Sequence, residues 1–420
     1  MKKIKGEVYL PGDKSISHRA ALFSSFIPER AEFENFNFNN DCTATLKGLE
    51  KLGIKWHTKN DNLYIEGKLF KKWIQPKDPI DAQNSGTTAR LISGLLANLP
   101  FETQIIGDVS LSKRPMARII APLSQMGANI ESNNNYLPLK FIPVKNLHGI
   151  RYELPVASAQ IKSAVLLAGL FAEGETEVVE FKTSRDHTER MLQLNTKSYE
   201  DGSKSIYSNR NVKLHNLSMQ IPGDFSAGAF FICAALCLSG SELTLKNVSL
   251  NPTRTGLLTI LTKMGAEIET HLLQEKPEPI GEIHIKSGDL NNIEVPLELV
   301  PNIIDEIPIL SILATQANGQ FLLRGAKELR VKESDRIDTI VNNFRNLDIE
   351  IEEYEDGFEL TGPQKIKGGK VETHHDHRIA MAFTIAKLFT DEKIEIDHPA
   401  CASVSFPDFY ILLDSIVEKV

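Results

Sequence analysis

Six times along the chain, a short polar or charged cluster is followed at once by a run of small and apolar residues of helical length. The clusters are Asp13-Lys14-Ser15, Asn84-Ser85-Gly86-Thr87, Ser158-Ala159-Gln160, Asp224-Phe225-Ser226, Asp305-Glu306 and Asp376-His377-Arg378. Their first residues are 71, 74, 66, 81 and 71 positions apart. A polar residue before an apolar periodic run predicts a helix start. A second helix end trails three of the markers, at Leu52-Gly53-Ile54, Met126-Gly127-Ala128 and Met264-Gly265-Ala266. These glycines lie 40, 43 and 41 residues past their markers. Glycine stops a helix there because it accepts the left-handed conformation. In the third and fifth repeats the matching stretch falls near Thr196 and Asp348, and neither contains glycine.

Segments 130–142 and 242–248 alternate apolar with polar and predict strands. Residues 3–10 alternate likewise and are expected to pair with the far end of the chain. Each repeat is then a mixed α/β unit of about 70 residues, too long for a solenoid repeat and short for an independent domain. Three units in each of two domains account for the length of 420 residues.

Composition narrows the partners. The 47 Lys and Arg against 55 Asp and Glu leave a net charge of −8, a poor balance for wrapping nucleic acid. The four cysteines, Cys42, Cys233, Cys237 and Cys401, form no C-x-x-C pair, which argues against a zinc ribbon or a disulfide framework. Free thiols in a reducing cytoplasm fit better. The basic start is followed by Gly6-Glu7-Val8-Tyr9-Leu10-Pro11 rather than by the apolar stretch of a signal peptide. The longest apolar run, 225–238, is shorter than the ~20 residues of a membrane span. A soluble, cytoplasmic protein with neither nucleic-acid nor membrane partner is expected.

Helix N-termini present unpaired N–H groups and the positive end of the helix dipole, so they attract phosphate and carboxylate. Cations recur in phase with them. Lys14 and Arg19 lie in the first helix; Lys113, Arg114 and Arg118 surround a second start, with Pro115 expected at its first position. Arg330, Lys332 and Arg336 interleave with Glu333 and Asp335, and Arg378 ends the series. Each has a plainer reading as a solvated surface cation, and Ser15, Asn84 and Ser158 can be read as helix caps alone. His374-His375-Asp376-His377 looks like a metal cluster, but adjacent histidines on a helix cannot all face one ion. No G-x-x-x-x-G-K-[ST] or G-x-G-x-x-G cradle for a nucleotide is present.

At these residues the chain resembles the family of 5-enolpyruvylshikimate-3-phosphate synthases (3-phosphoshikimate 1-carboxyvinyltransferases). The matching segments are 10–19, Asn84-Ser85-Gly86-Thr87, Lys113-Arg114-Pro115-Met116, Ala157-Ser158-Ala159-Gln160, 330–336 and Asp376-His377-Arg378. The resemblance implies an α/β fold of two similar domains, each of three βαβαββ repeats in an inside-out α/β barrel, with the active site in the interdomain cleft. It places residues 1–12 and 227–420 in one discontinuous domain, closed by the N-terminal strand, and residues 13–226 in an inserted one. The implied reaction moves the enolpyruvyl group of phosphoenolpyruvate to the 5-hydroxyl of shikimate 3-phosphate, releasing phosphate, with no metal and no organic cofactor.

The same resemblance implies that Lys14, Ser15, Arg19, Ser158, Gln160, Asp305 and Lys332 bind shikimate 3-phosphate. It implies that Lys14, Gly86, Arg114, Gln160, Arg336 and Arg378 bind phosphoenolpyruvate. Asp305 is the implied base at the hydroxyl and Glu333 the proton donor and acceptor at the methylene carbon, a role Lys14 shares. The chain departs from the bacterial pattern at Val404, where a Lys is usual, and at Ala159, His187 and Glu328. An unsubstituted Gly86 implies inhibition by glyphosate, and a monomer is implied. Two rivals stand beside this reading: the enolpyruvyl transferase acting on UDP-N-acetylglucosamine, and a catalytically silent binder. The first is disfavoured because Ser15 follows Lys14 and no Cys lies near 110–118.

Overall fold

The computed structural model describes residues 2–419. Contacts divide the chain into two compact units, one of Met1–Pro11 with Pro222–Val420 and one of Gly12–Ile221. Residues 222–226, which the sequence reading gave to the inserted domain, belong with the first unit. The Gly223 N–H donates to Asn247 and the Asp224 N–H to Pro11, at 2.7 and 2.9 Å, so backbone pairing decides the boundary.

Within each unit the βαβαββ repeat is legible element by element. In the second repeat, strand Ile80–Asp81 leads to helix Gly86–Leu96, strand Thr103–Ile106, helix Ala117–Gln125 and hairpin Asn129–Asn133/Tyr136–Ile142. The sheet order is first strand, second strand, then the hairpin in reverse, with one parallel and two antiparallel pairings. The third repeat reproduces it with Arg151–Glu153, Thr176–Glu180, Lys204–Ser208 and Thr196–Ser198. The first repeat borrows its parallel strand, Met219–Gln220, from the end of its own unit. In the other unit Lys2–Tyr9 fills that place, parallel to Glu242–Ser249, and also pairs antiparallel with Val417–Lys419. The N-terminal strand therefore does meet the far end of the chain.

The leading helices form the interior of each unit. Gly86–Leu96 packs on both Lys14–Ser25 and Ala159–Gly169, while Phe225–Cys237, Ile307–Ala314 and His377–Ala386 pack on one another. A helix apolar on all sides, as Phe225–Cys237 is, has to be covered all round. A Cβ at Gly94 would lie 2.1 Å from the Ala164 carbonyl, so the packing of Gly86–Leu96 on Ala159–Gly169 depends on glycine for its close approach.

The second helices end alike. Ile54, Ala128, Leu194, Ala266 and Ile349 each donate an N–H to the carbonyl five residues back, closing a Schellman turn in five of the six repeats. The residue before each has positive φ: Gly53, Gly127 and Gly265, then Gln193 and Asp348 at 51° and 60°. The repeats lacking glycine thus hold the same left-handed stop with side chains that tolerate it less well. Gln193 is exposed, so Gln193→Gly should raise stability by about 1 kcal/mol, and Gly265→Ala should lower it by a similar amount. Urea unfolding of both variants checks this; equal midpoints would show that the turn carries no strain.

Candidate active site

All six polar clusters stand at helix starts. Asp13, Ser85, Ser158, Asp224 and Asp376 each accept a backbone N–H of the helix that follows, at 2.9, 3.1, 3.4, 2.8 and 2.9 Å. Glu306 precedes Ile307–Ala314 without a side-chain cap bond. Ser158 is therefore a cap, as its plainer reading held, whereas Ser15 and Asn84 are not. Pro115 lies one residue before the N-cap Met116 rather than inside the helix Ala117–Gln125.

In the unit 12–221, Lys14 opens the first helix and forms an ion pair with Asp41. Arg19 is buried one turn on, where Nε donates to Thr188 and the two terminal nitrogens to Ser15 O and Ser163, at 2.9, 2.9 and 2.8 Å. Ser15 thus presents its carbonyl to the guanidinium that sequence placed near it. Gly86 is the first residue of its helix. A Cβ there would lie 2.7 Å from an Arg90 nitrogen and 3.7 Å from one of Arg114. Arg90 donates to Gln160 at 2.9 Å and Gln160 to Thr87 at 3.0 Å. Arg114 donates to Asn84, which donates to Asp108, at 2.9 and 2.8 Å. The helix starts at Gly86 and Ala159 are therefore joined through Arg90, Gln160 and Thr87, with an Arg114 nitrogen also close to Gly86.

His18 lies beneath this set, its Nδ1 2.7 Å from Thr45 Oγ1. Burial drives the imidazole down from 6.5 to about 3, with Asp41 opposing and Lys14 and Arg19 assisting. The folded His18 stays neutral while the unfolded one takes a proton near pH 6.5. Stability contributed by this group is therefore whole above pH 6.5 and lost as the pH falls towards 3. Between pH 7 and 5 the loss should be about 2 kcal/mol, and His18→Gln should flatten that part of the stability–pH curve. Parallel curves for the two proteins would refute this.

In the other unit, Asp305 and Arg336 organise the cluster. Asp305 Oδ1 lies 3.6 Å from Lys332, 3.5 Å from Arg336 and 4.0 Å from Arg378, whose NH1 also donates to the Asp305 carbonyl at 2.8 Å. Arg336 donates from Nε to Asp376 at 2.8 Å and from NH2 to Glu333 at 2.6 Å. Its side chain is 1% exposed. Burial on its own would depress the guanidinium, yet Asp376, Glu333 and Asp305 hold its pKa above the usual value. Burial pulls the Asp376 carboxyl the other way, but Arg336 holds it below the ordinary range. Arg330 points elsewhere, to Asp335, Glu353 and two backbone carbonyls, and secures the 330–335 turn. The cations of this unit's cluster lie against carboxylates, so it is a balanced ionic network rather than a bare positive patch. Among the described residues no group of three His, Cys, Asp or Glu side chains is arranged to hold a metal ion.

The profile of the EPSP synthase (3-phosphoshikimate 1-carboxyvinyltransferase) family matches residues 1–413. The chain belongs to this family. It is 44% identical to a 3-phosphoshikimate 1-carboxyvinyltransferase of Bacillus cytotoxicus, over 99% of this chain and 98% of that one. A namesake from Desulfitobacterium hafniense is 42% identical over 100% and 97%. The solved EPSP synthase of Acinetobacter baumannii superposes with a TM-score of 0.88 at 40% identity, covering 100% of this chain and 98% of that structure. The two-domain inside-out α/β fold and the activity follow: enolpyruvyl transfer from phosphoenolpyruvate to shikimate 3-phosphate, in the shikimate pathway to aromatic amino acids.

Of the positions read as departures from the bacterial pattern, Val404 ends the short 3-10 helix Pro399–Val404, and Glu328 lies in another, Lys327–Val331. His187 is the first residue of His187–Met191, next to the Thr188 that holds Arg19. Sequence reasoning missed Arg90 and Asp41. Arg90 was within reach of it, because it lies one helical turn past Gly86 on the same face.

Proposed function

We propose that the two residue sets divide the family reaction between them. Lys14, Ser15, Arg19, Ser158, Gln160, Asp305 and Lys332 take shikimate 3-phosphate. Ser158 uses its oxygen lone pair on the helix, and its hydroxyl hydrogen is left for a phosphate oxygen. Lys14, Gly86, Arg114, Gln160, Arg336 and Arg378 take phosphoenolpyruvate, whose phosphate and carboxylate suit forked guanidinium donors.

Glu333 passes a proton to the methylene carbon, making it a methyl group, while Asp305 removes the proton of the 5-hydroxyl as its oxygen bonds to the adjacent carbon. Phosphate then leaves with its bonding electrons and takes up the proton held by Asp305, and Glu333 recovers a methyl proton as the double bond re-forms. Anionic substrates compete for Lys332, Arg336 and Arg378, so binding frees the Asp305 oxygen to accept a proton. The observation that carries this reading is the Asp305 carboxylate set among three cations, with Glu333 on the same guanidinium.

The protein acts on small anions as a cytoplasmic monomer, with glyphosate competing for the phosphoenolpyruvate positions. Phosphate release should require both substrates and stop with glyphosate. Gly86→Ala, whose methyl displaces Arg90 or the ligand, should weaken both phosphoenolpyruvate and glyphosate. Tight binding of both substrates without phosphate release would overturn the reading in favour of a silent binder. Turnover with UDP-N-acetylglucosamine as acceptor would overturn the assigned acceptor.

A further inference from the structure

Arg254 is a cation of the repeat that the reaction has not used. Arg114 lies 30 residues after marker Asn84, Arg254 lies 30 after Asp224, and Arg336 lies 31 after Asp305. Each returns to its own marker: Arg114 at 2.9 Å from Asn84, Arg254 at 3.8 Å from Asp224 and Arg336 at 3.5 Å from Asp305. Arg336 also reaches forward to Asp376, the marker of the following repeat. Arg254 does the same. Its NH2 donates to Ser226 at 2.5 Å and stands 4.0 Å from Glu306, and Ser226 in turn donates to Glu306.

Arg254 is 2% exposed and Glu306 fully buried, and the proposed substrate contacts of this unit fall on Asp305, Lys332, Arg336 and Arg378 instead. What the pair holds is the turn bearing Asp305, the residue next to Glu306. Asp305 must keep its carboxylate among Lys332, Arg336 and Arg378, and the helix after it, Ile307–Ala314, has no side-chain cap of its own among the described residues. Arg254 reaches Glu306, and Arg336 reaches the neighbouring Asp305 itself.

We infer that Arg254, through Ser226 and Glu306, is a positioning residue for the base Asp305. This rests on the proposed role of Asp305. A buried ion pair of fixed geometry suits such a task, because displacing a reacting group by about 1 Å can cost about a hundredfold in rate.

The test compares Arg254→Lys and Glu306→Gln, each alone and combined with Asp305→Asn, by steady-state kinetics for both substrates. The single variants should lose about ten- to a hundredfold in kcat while KM for either substrate changes less than about threefold. Neither should lower kcat further once Asp305 is Asn, because the group they position is gone. Should Arg254→Lys fail to fold, Glu306→Gln and Ser226→Ala decide by the same two readouts. Normal kcat in the folded variants overturns the inference, and so do losses that multiply with that of Asp305→Asn. Near-normal turnover of Asp305→Asn by itself instead overturns the role given to Asp305, whatever Arg254 does.

Discussion

Asp305→Asn and Glu333→Gln should each lower kcat by about 10²- to 10⁴-fold, the range expected for losing a positioned general base or acid. Both substitutions keep the size and shape of the side chain, so Asn can still receive hydrogen bonds from Lys332, Arg336 and Arg378 through its carbonyl oxygen. It cannot take a proton from the acceptor hydroxyl. Gln at 333 still accepts from Arg336 but has no proton to give the methylene carbon. The two losses should differ in kind. Glu333→Gln should also suppress exchange of the phosphoenolpyruvate methylene protons with solvent deuterium, while Asp305→Asn should leave more of that exchange. Following turnover and exchange together by proton NMR separates them, and near-normal turnover in both would sink the assignment.

The second large effect is on stability. Arg336→Met should cost about 3–5 kcal/mol, the usual penalty for removing one partner of a buried ion pair. The cost arises because Asp376 is fully buried and Glu333 and Asp305 lose a shared counter-charge. The pH dependence has a definite sign. Asp376 titrates below its unfolded value, so its contribution is present above the ordinary carboxylate range near pH 4 and is lost as the pH falls through the lower folded value. That window lies below most of the His18 window, so acid unfolding should show two components: the upper removed by His18→Gln, the lower by Arg336→Met. Arg336→Met should also raise KM for phosphoenolpyruvate. Unchanged denaturant midpoints at pH 7 would contradict the buried network.

Much of this site was legible in advance because it is built on local signals. A cap followed by an apolar run, and a glycine after a last turn, are decided within a few residues. That is why all six markers stand at helix starts, and why the stops at Gly53, Gly127 and Gly265 were visible. The stops at Gln193 and Asp348 could be placed only roughly, from the spacing of the repeat, because the left-handed turn there is imposed by the surrounding repeat and not announced by the residue type. Asn84 and Ser15 show the same limit at the other end of a helix. Several polar residues near a start can serve as cap, and the one that does is chosen by backbone geometry.

The order of residues alone settled the six-fold repeat, the helix starts, the types of charged group available and the family. It could not settle which charge meets which. Lys14 meets Asp41, Arg336 meets Asp376 and Arg254 meets Glu306, pairs separated by 27, 40 and 52 positions. Such pairings exist only once strands and helices have packed, because Coulomb attraction falls off over a few ångströms while sequence separation carries no distance. Burial was decided at the same step. Packing turned Arg336, which sequence alone allows as a solvated cation, into an enclosed one and enclosed Arg254 with it, and enclosure leaves each guanidinium dependent on the carboxylates it meets.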